Sequence, residues 1–273
     1  ADGRFVAFES VAASLVPGDT NETEDVFVHD RLTHTTERVS VSTAGEQALG
    51  RSYWACLSGD GRLVAFVSLA ANLVPDDTNE RADIFLRDRL AGTTIRVSTN
   101  AAGDQLNDHS YGPRLTPDGR YLAFYSLAQD VLPGLGNGLR QVYRRDLRSG
   151  AVRPISVNPM GELGNQQSSM NEQPALSDHG RTIAFYSYAD NLVPWDTNHA
   201  ADVFLWRNRG NGDCNCDGVV DLDDVPAFVL ALLDPAAYAA AYPACDDERA
   251  DLDASGHSDG ADIAGFIARL LGS

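Results

Sequence analysis

Short apolar runs set off by Asp-Gly turns recur along most of this chain. Phe5-Val-Ala-Phe8, Leu63-Val-Ala-Phe66, Tyr121-Leu-Ala-Phe124 and Thr182-Ile-Ala-Phe185 each follow a Gly-Arg pair, at intervals of 58, 58 and 61 residues. Runs this short, rich in β-branched and aromatic residues and bounded by Gly, Asp and Asn, predict strands. Each unit continues through a Leu-Val-Pro loop (Leu15, Leu73, Leu192; Val131-Leu132-Pro133 in the third) into strands such as Asp83–Asp88 and Thr94–Ser98. A further strand, such as Ser52–Leu57, leads into the next turn. A regular period of four short strands predicts a mostly β repeat architecture over residues 1–209, with three, four, four and three strands in successive units. The first unit lacks its leading strand and the fourth its trailing one.

The pattern changes over residues 210–273. Val225, Phe228, Val229 and Leu232, and again Ile263, Phe266, Ile267 and Leu270, follow the i, i+3, i+4, i+7 stripe of an amphipathic helix. A polar loop precedes each stripe, and the two loops lie 38 positions apart. The first places Asp213, Asn215, Asp217, Asp221 and Asp224 at loop positions 1, 3, 5, 9 and 12, and the second places Asp251, Asp253, Ser255, Asp259 and Asp262 at the same positions. Gly218 and Gly256 take position 6, where the sharp turn falls, and the backbone carbonyls of Val219 and His257 take position 7. Calcium needs six to eight hard oxygen ligands in a flexible arrangement, and this spacing delivers them from a short segment. Two Ca2+ sites are expected. The second should be weaker, because Ser255 stands where the first loop has a carboxylate.

Net charge is −18, with −11 of it in residues 211–273. That balance excludes nucleic acid as a partner, since phosphates demand a basic surface. No apolar run is long enough to span a membrane. The start Ala-Asp-Gly-Arg is neither a signal peptide nor an initiator methionine, which reads as a processed or cut N-terminus. The four cysteines form no C-x-x-C pair, so zinc and dithiol chemistry have no support. Cys216 with Cys245 is the candidate disulfide, worth on the order of 3–4 kcal/mol in a small module; Cys214 is the other partner open to Cys245. Cys56 reads as a buried small hydrophobe.

A third motif repeats between two strands of a unit: Asp19-Thr-Asn21 with Asp25, Asp77-Thr-Asn79 with Asp83, and Asp196-Thr-Asn198 with Asp202. Asx side chains bonding their own backbone account for such loops; a calcium or sugar site is the alternative. Catalytic motifs are missing: there is no G-x-S-x-G, no H-E-x-x-H and no phosphate-cradling glycine loop, and the six histidines show no ligand spacing. A non-catalytic protein is expected.

Two resemblances add to this reading. Pro113-Arg-Leu-Thr-Pro-Asp118-Gly119-Arg120-Tyr-Leu-Ala-Phe124 and Pro174-Ala-Leu-Ser177-Asp-His-Gly180-Arg181-Thr-Ile-Ala-Phe185 resemble the WD-like repeats of TolB-type β-propellers. This implies a partial propeller of about three and a half blades, with upstream blades missing or a second copy paired to it. The segment from Gly212 to Gly272 resembles a type I dockerin, including the alanine- and tyrosine-rich spacer between its halves. That likeness implies a small helical module that binds calcium and docks on a cohesin-like protein. Leu222-Asp223 and Gly260-Ala261 stand where Ser-Thr pairs often serve cohesin recognition. Together the resemblances imply an extracellular, non-catalytic scaffold whose propeller presents a surface for carbohydrate or peptide. The alternative is the non-catalytic part of a secreted carbohydrate-active or peptidase-like enzyme.

Overall fold

The structure is a computed structural model that describes residues 3–169, 172–208, 212–216, 219–242, 245, 247–253 and 255–271. It divides into two compact units, Ala1–Trp206 and Arg207–Ser273.

The first unit is built from four antiparallel meanders. Strands β1 (Phe5–Ser10), β2 (Asp25–Asp30) and β3 (Thr35–Arg38) form the first sheet, and β4 (Ser52–Leu57), β5 (Leu63–Ser68), β6 (Asp83–Asp88) and β7 (Thr93–Arg96) the second. The third holds β8 (Ser110–Leu115), β9 (Tyr121–Ser126), β10 (Gln141–Asp146) and β11 (Val152–Pro154); the fourth holds β12 (Ala175–Leu176), β13 (Thr182–Ser187) and β14 (Asp202–Arg207). The strand numbers are those that the apolar periodicity predicts.

The core lies between sheets, not within them. Val26 and Val28 of the first sheet meet Val64, Phe66 and Phe85 of the second. Ala65, Val67 and Ile84 on the opposite face of the second meet Leu122, Phe124 and Tyr143 of the third. Ala123, Tyr125 and Val142 then meet Ile183 and Phe185 of the fourth. A strand covered on both faces has no solvent side, which is why β5 and β9 read as continuous apolar runs. Burying each large side chain contributes roughly 1.5–3 kcal/mol. One aromatic pair recurs in every sheet: Phe8 with Phe27, Phe66 with Phe85, Phe124 with Tyr143 and Phe185 with Phe204, at centroid separations of 5.7–6.0 Å.

The Asp-Gly-Arg turns join these layers. Gly61 sits at φ +70°, and a Cβ there would collide with the Phe5 ring of the preceding sheet, so glycine is required by conformation and by packing alike. The arginine beside it closes the sheet. Arg4 pairs with Asp30 (2.6 Å), Arg62 with Asp88 (2.6 Å) and Arg120 with Asp146 (3.1 Å), each reaching the far end of the neighbouring strand. The Arg62 guanidinium holds the Asp88 carboxyl down to about 2.

In the second unit α1 (Val225–Leu233), α2 (Pro235–Ala241) and α3 (Asp262–Leu270) pack around Phe228 and Phe266, whose rings stack at 3.9 Å. The spacer between the loops thus carries a helix of its own. Its Tyr238 is fully buried and donates to the Cys214 carbonyl (2.8 Å). The apolar stripe is only half used: Phe228 and Phe266 are buried, while Val229, Ile263 and Ile267 are exposed. Small Ala227 and Ala231 fill the buried face of α1 instead, which allows close approach of Tyr238.

Cys216 and Cys245 form a disulfide, with Cα atoms 5.8 Å apart. Cys56 and Cys214 are buried thiols. Burial pushes both up to about 12. Neither should therefore react with iodoacetamide in the native protein at mildly alkaline pH, whereas both should be alkylated in denaturant. Native-state labelling of either, read by peptide mass, would contradict that burial.

Candidate functional site

The second polar loop brings its acidic residues together. Carboxylate oxygens of Asp251, Asp253 and Asp262 all lie within 4.8 Å of one another, and Asp251 and Asp262 are fully buried. Loop backbone amides orient them. Asp262 accepts from the amides of Leu252 (2.6 Å), Asp253 (3.0 Å) and Asp259 (2.9 Å), and Asp251 accepts from Ser255 (3.1 Å) and Gly256 (3.0 Å). Gly256 adopts φ +100° at the sharp turn. The Ser255 hydroxyl lies 3.2 Å from the His257 carbonyl, which places two further candidate oxygens side by side. Asp259 accepts from the amide of Ala261 (2.7 Å) ahead of α3. Three carboxylates held this close repel one another, and an all-oxygen donor set of this kind suits a hard divalent cation.

The first loop closes by the same bonds. Asp224, fully buried, accepts from the amides of Asn215 (2.9 Å) and Asp221 (3.0 Å), just as Asp262 accepts from Asp253 and Asp259. Asp213 at position 1 is held by Arg249, whose Nη1 lies 2.6 Å from Oδ2. Asp217 and Gly218 lie outside the described residues. Val219 at position 7 is exposed. Arg249 was not legible as a partner, because it stands 36 residues away, two positions before Asp251.

The repeated Asp-Thr-Asn loops form clasps. Asp25 accepts from the Ser40 hydroxyl (2.5 Å), Asn21 (2.9 Å) and Gln47 (3.3 Å), while Gln47 also donates to Asp19 (3.1 Å). Arg38 lies 3.4 Å from Asp19 and 3.6 Å from Asp25. The second unit repeats every partner: Ser98, Asn79, Gln105 and Arg96 around Asp77 and Asp83. Burial raises the carboxyls of Asp25 and Asp77 above their ordinary range. In the third unit Leu135, Gln141 and Pro154 replace Asp, Asp and Arg together, and Gln141 takes the serine bond (2.6 Å). In the fourth, Asn198 donates to Asp202 (2.8 Å), and Asp196 lies in the same loop. Protein donors occupy the carboxylates of the first two clasps, as Asx loops built for structure require.

One group escaped the sequence reading. Trp54 lies edge-on to Tyr53, Tyr111 and Tyr125 at centroid distances of 5.6–6.4 Å, and His109 stacks on Tyr111 at 5.5 Å. Arg51 covers Tyr53 and Arg140 covers Tyr125. Both β4 and β8 are bulged here, and Trp54 holds φ +55° where β8 has Gly112. A bulky residue in that region is strained, and its amide is gripped by the Glu9 carboxylate. Nearby, the Arg140 amide donates to Gln167 (2.8 Å), and Leu139, Asn165, Gln166, Gln167 and Tyr188 line an open depression of about 370 Å³. The recurring Ser-Tyr at Ser52-Tyr53 and Ser110-Tyr111, one period apart, was the signal available.

No family model matches the sequence, and no protein of curated function is similar to it. Solved structures are similar in fold. TolB from Acinetobacter baumannii is 17% identical over 67% of this chain and 35% of its own, with a TM-score of 0.42. A protein described as a TolB from Agrobacterium tumefaciens is 18% identical over 76% of this chain and 58% of its own (TM-score 0.47). The β-propeller domain of the Trilobed protease from Pyrococcus furiosus is 12% identical over 76% and 53% respectively (TM-score 0.43). The chain spans less than two thirds of each. Among the described residues no helix is long and apolar enough to cross a membrane.

Proposed function

We propose that this chain is an extracellular, non-catalytic binding protein. In this reading the four-sheet unit is part of a propeller that offers its Trp54 aromatic group and the adjoining amide-lined depression to carbohydrate or peptide. Stacking rings beside amide side chains are the usual chemistry for such ligands. The C-terminal unit is a dockerin-like module that takes up two Ca2+ ions and docks on a cohesin-like protein. The observation that carries this is the convergence of Asp251, Asp253 and Asp262 within 4.8 Å on a loop whose twin closes by the same bonds. Asp213, Asn215, Asp217, Asp221, Asp224 and the Val219 carbonyl would hold the first ion; Asp251, Asp253, Ser255, Asp259, Asp262 and the His257 carbonyl the second. The disulfide between Cys216 and Cys245 supports an oxidising compartment.

Calorimetric titration of the chelator-treated full chain with CaCl2 should show two binding steps of unequal strength, together with a gain in helical signal. Absence of uptake at millimolar calcium would remove the basis for the docking module.

A further inference from the structure

Two cysteines alternate with ligand residues in the first acidic loop: Asp213 and Asn215 take positions 1 and 3, Cys214 and Cys216 positions 2 and 4. Both cysteines are fixed to the spacer. The Cys214 carbonyl accepts from the buried Tyr238 hydroxyl of α2 (2.8 Å), and Cys216 is joined covalently to Cys245. Cys245 is rooted in the same helix end, because its amide donates to the carbonyl of Tyr242, the residue that caps α2 (2.9 Å). Asn215 thus hangs between two anchored points. Cys216 also holds φ +66°, a left-handed conformation that a residue with a Cβ seldom adopts without constraint, and the cross-link supplies one. The second loop is shaped differently. Its positions 2 and 4 are Leu252 and Ala254, and its own acids set the turn: Asp251 accepts from the amides of Ser255 (3.1 Å) and Gly256 (3.0 Å), and Asp253 from Ser255 (2.8 Å).

Resting on the reading of both loops as calcium sites, we propose that the Cys216–Cys245 disulfide sets the affinity of the first loop and leaves that of the second nearly untouched. The first ion is then gripped tightly only in the oxidised chain. Reduction breaks the S–S bond, each sulfur taking one electron and one proton from an external dithiol, which closes to its own disulfide. Cys216 is then free to leave its left-handed conformation, and an incoming ion has to order positions 3 and 4 itself, which weakens binding. The coupling is reciprocal: an ion that prefers the oxidised loop stabilises the disulfide by the same factor.

Asp253→Ala removes a ligand of the second loop and leaves the first for calorimetry, while Asp221→Ala does the converse. Each full chain is titrated with CaCl2 before and after reduction by dithiothreitol. On reduction the affinity of Asp253→Ala should fall at least about tenfold, and that of Asp221→Ala less than about twofold, which also shows that the reduced unit stays folded. Wild type equilibrated in dithiothreitol redox buffers gives a second measurement, with the Cys216–Cys245 pair read by alkylation and peptide mass. Saturating CaCl2 should lower the midpoint potential by about 30 mV for a tenfold coupling. Equal calcium affinity of the first loop in both redox states, a loss shared equally by the two loops, or an unshifted midpoint would each overturn the proposal. No uptake by the oxidised wild type would instead remove the calcium reading, and this proposal with it.

Discussion

Asp83→Leu should destabilise the four-sheet unit by about 3–5 kcal/mol, the cost of breaking a buried ion pair from one side. Asp83 is fully buried, and the Arg96 side chain facing it at 3.4 Å is only 10% exposed. Leucine would leave that guanidinium with Asp77 as its one remaining carboxylate and would strip the Ser98, Asn79 and Gln105 donors of the acid on which they converge. At the equivalent position of the fourth unit, Asp202→Ala should fall within about 0.5 kcal/mol of wild type, because that carboxylate, at the start of β14, makes an exposed bond to Asn198. In the third unit both acids and the arginine are replaced as a set, and Leu163 stands where the second unit has Gln105. The triple variant Asp77→Leu, Asp83→Gln, Arg96→Pro should therefore be more stable than Asp83→Leu alone. Guanidinium unfolding of the four proteins, followed by tryptophan fluorescence, checks the order. A cost below 1 kcal/mol for Asp83→Leu would show that the clasp is not structural.

Asp262→Ala should unfold or loosen the helical unit, at a cost of at least about 3 kcal/mol. Its carboxylate accepts from three backbone amides, and each orphaned amide costs about 1–3 kcal/mol where water cannot reach. On the proposed calcium binding, loss of the ion would add to this by mass action. Asp223→Ala, at an exposed position of the first helical turn, serves as the control and should change little. Far-UV circular dichroism with and without EDTA separates the two contributions. Wild type should lose stability on chelation, and Asp262→Ala should lose less, keeping only the response of the first loop. A variant that still responds to EDTA as wild type does would mean that the ion is not held at this position.

Much of the β unit was legible because its grammar is local. The glycine of each Asp-Gly-Arg turn, the apolar run after it and the Leu-Val-Pro loop lie within about fifteen residues of one another and recur. The ligand spacing of the two acidic loops is legible for the same reason. What the sequence conceals is partnership at a distance. Arg38 and Ser40 read as part of an alternating strand, yet both turn toward acids 13–19 residues back, Asp19 in the loop before β2 and Asp25 at its first position. Arg4, Arg62 and Arg120 read as turn residues, and each bonds an aspartate 26 residues on. The helical stripe was half misleading: Phe228 and Phe266 are buried as expected, whereas Val229, Ile263 and Ile267 are exposed. Trp54 could not be placed at all without the bulge that turns it toward Tyr111.

Arg249 links the two ends of the small unit: it grips Asp213 while its own backbone leads, two residues later, into Asp251. We propose that a dication taken up by the first turn would meet this tethered guanidinium and shift it, and that the shift would reach the entrance of the second. On that proposal the two uptakes would be mechanically yoked and should depart from those of two independent wells.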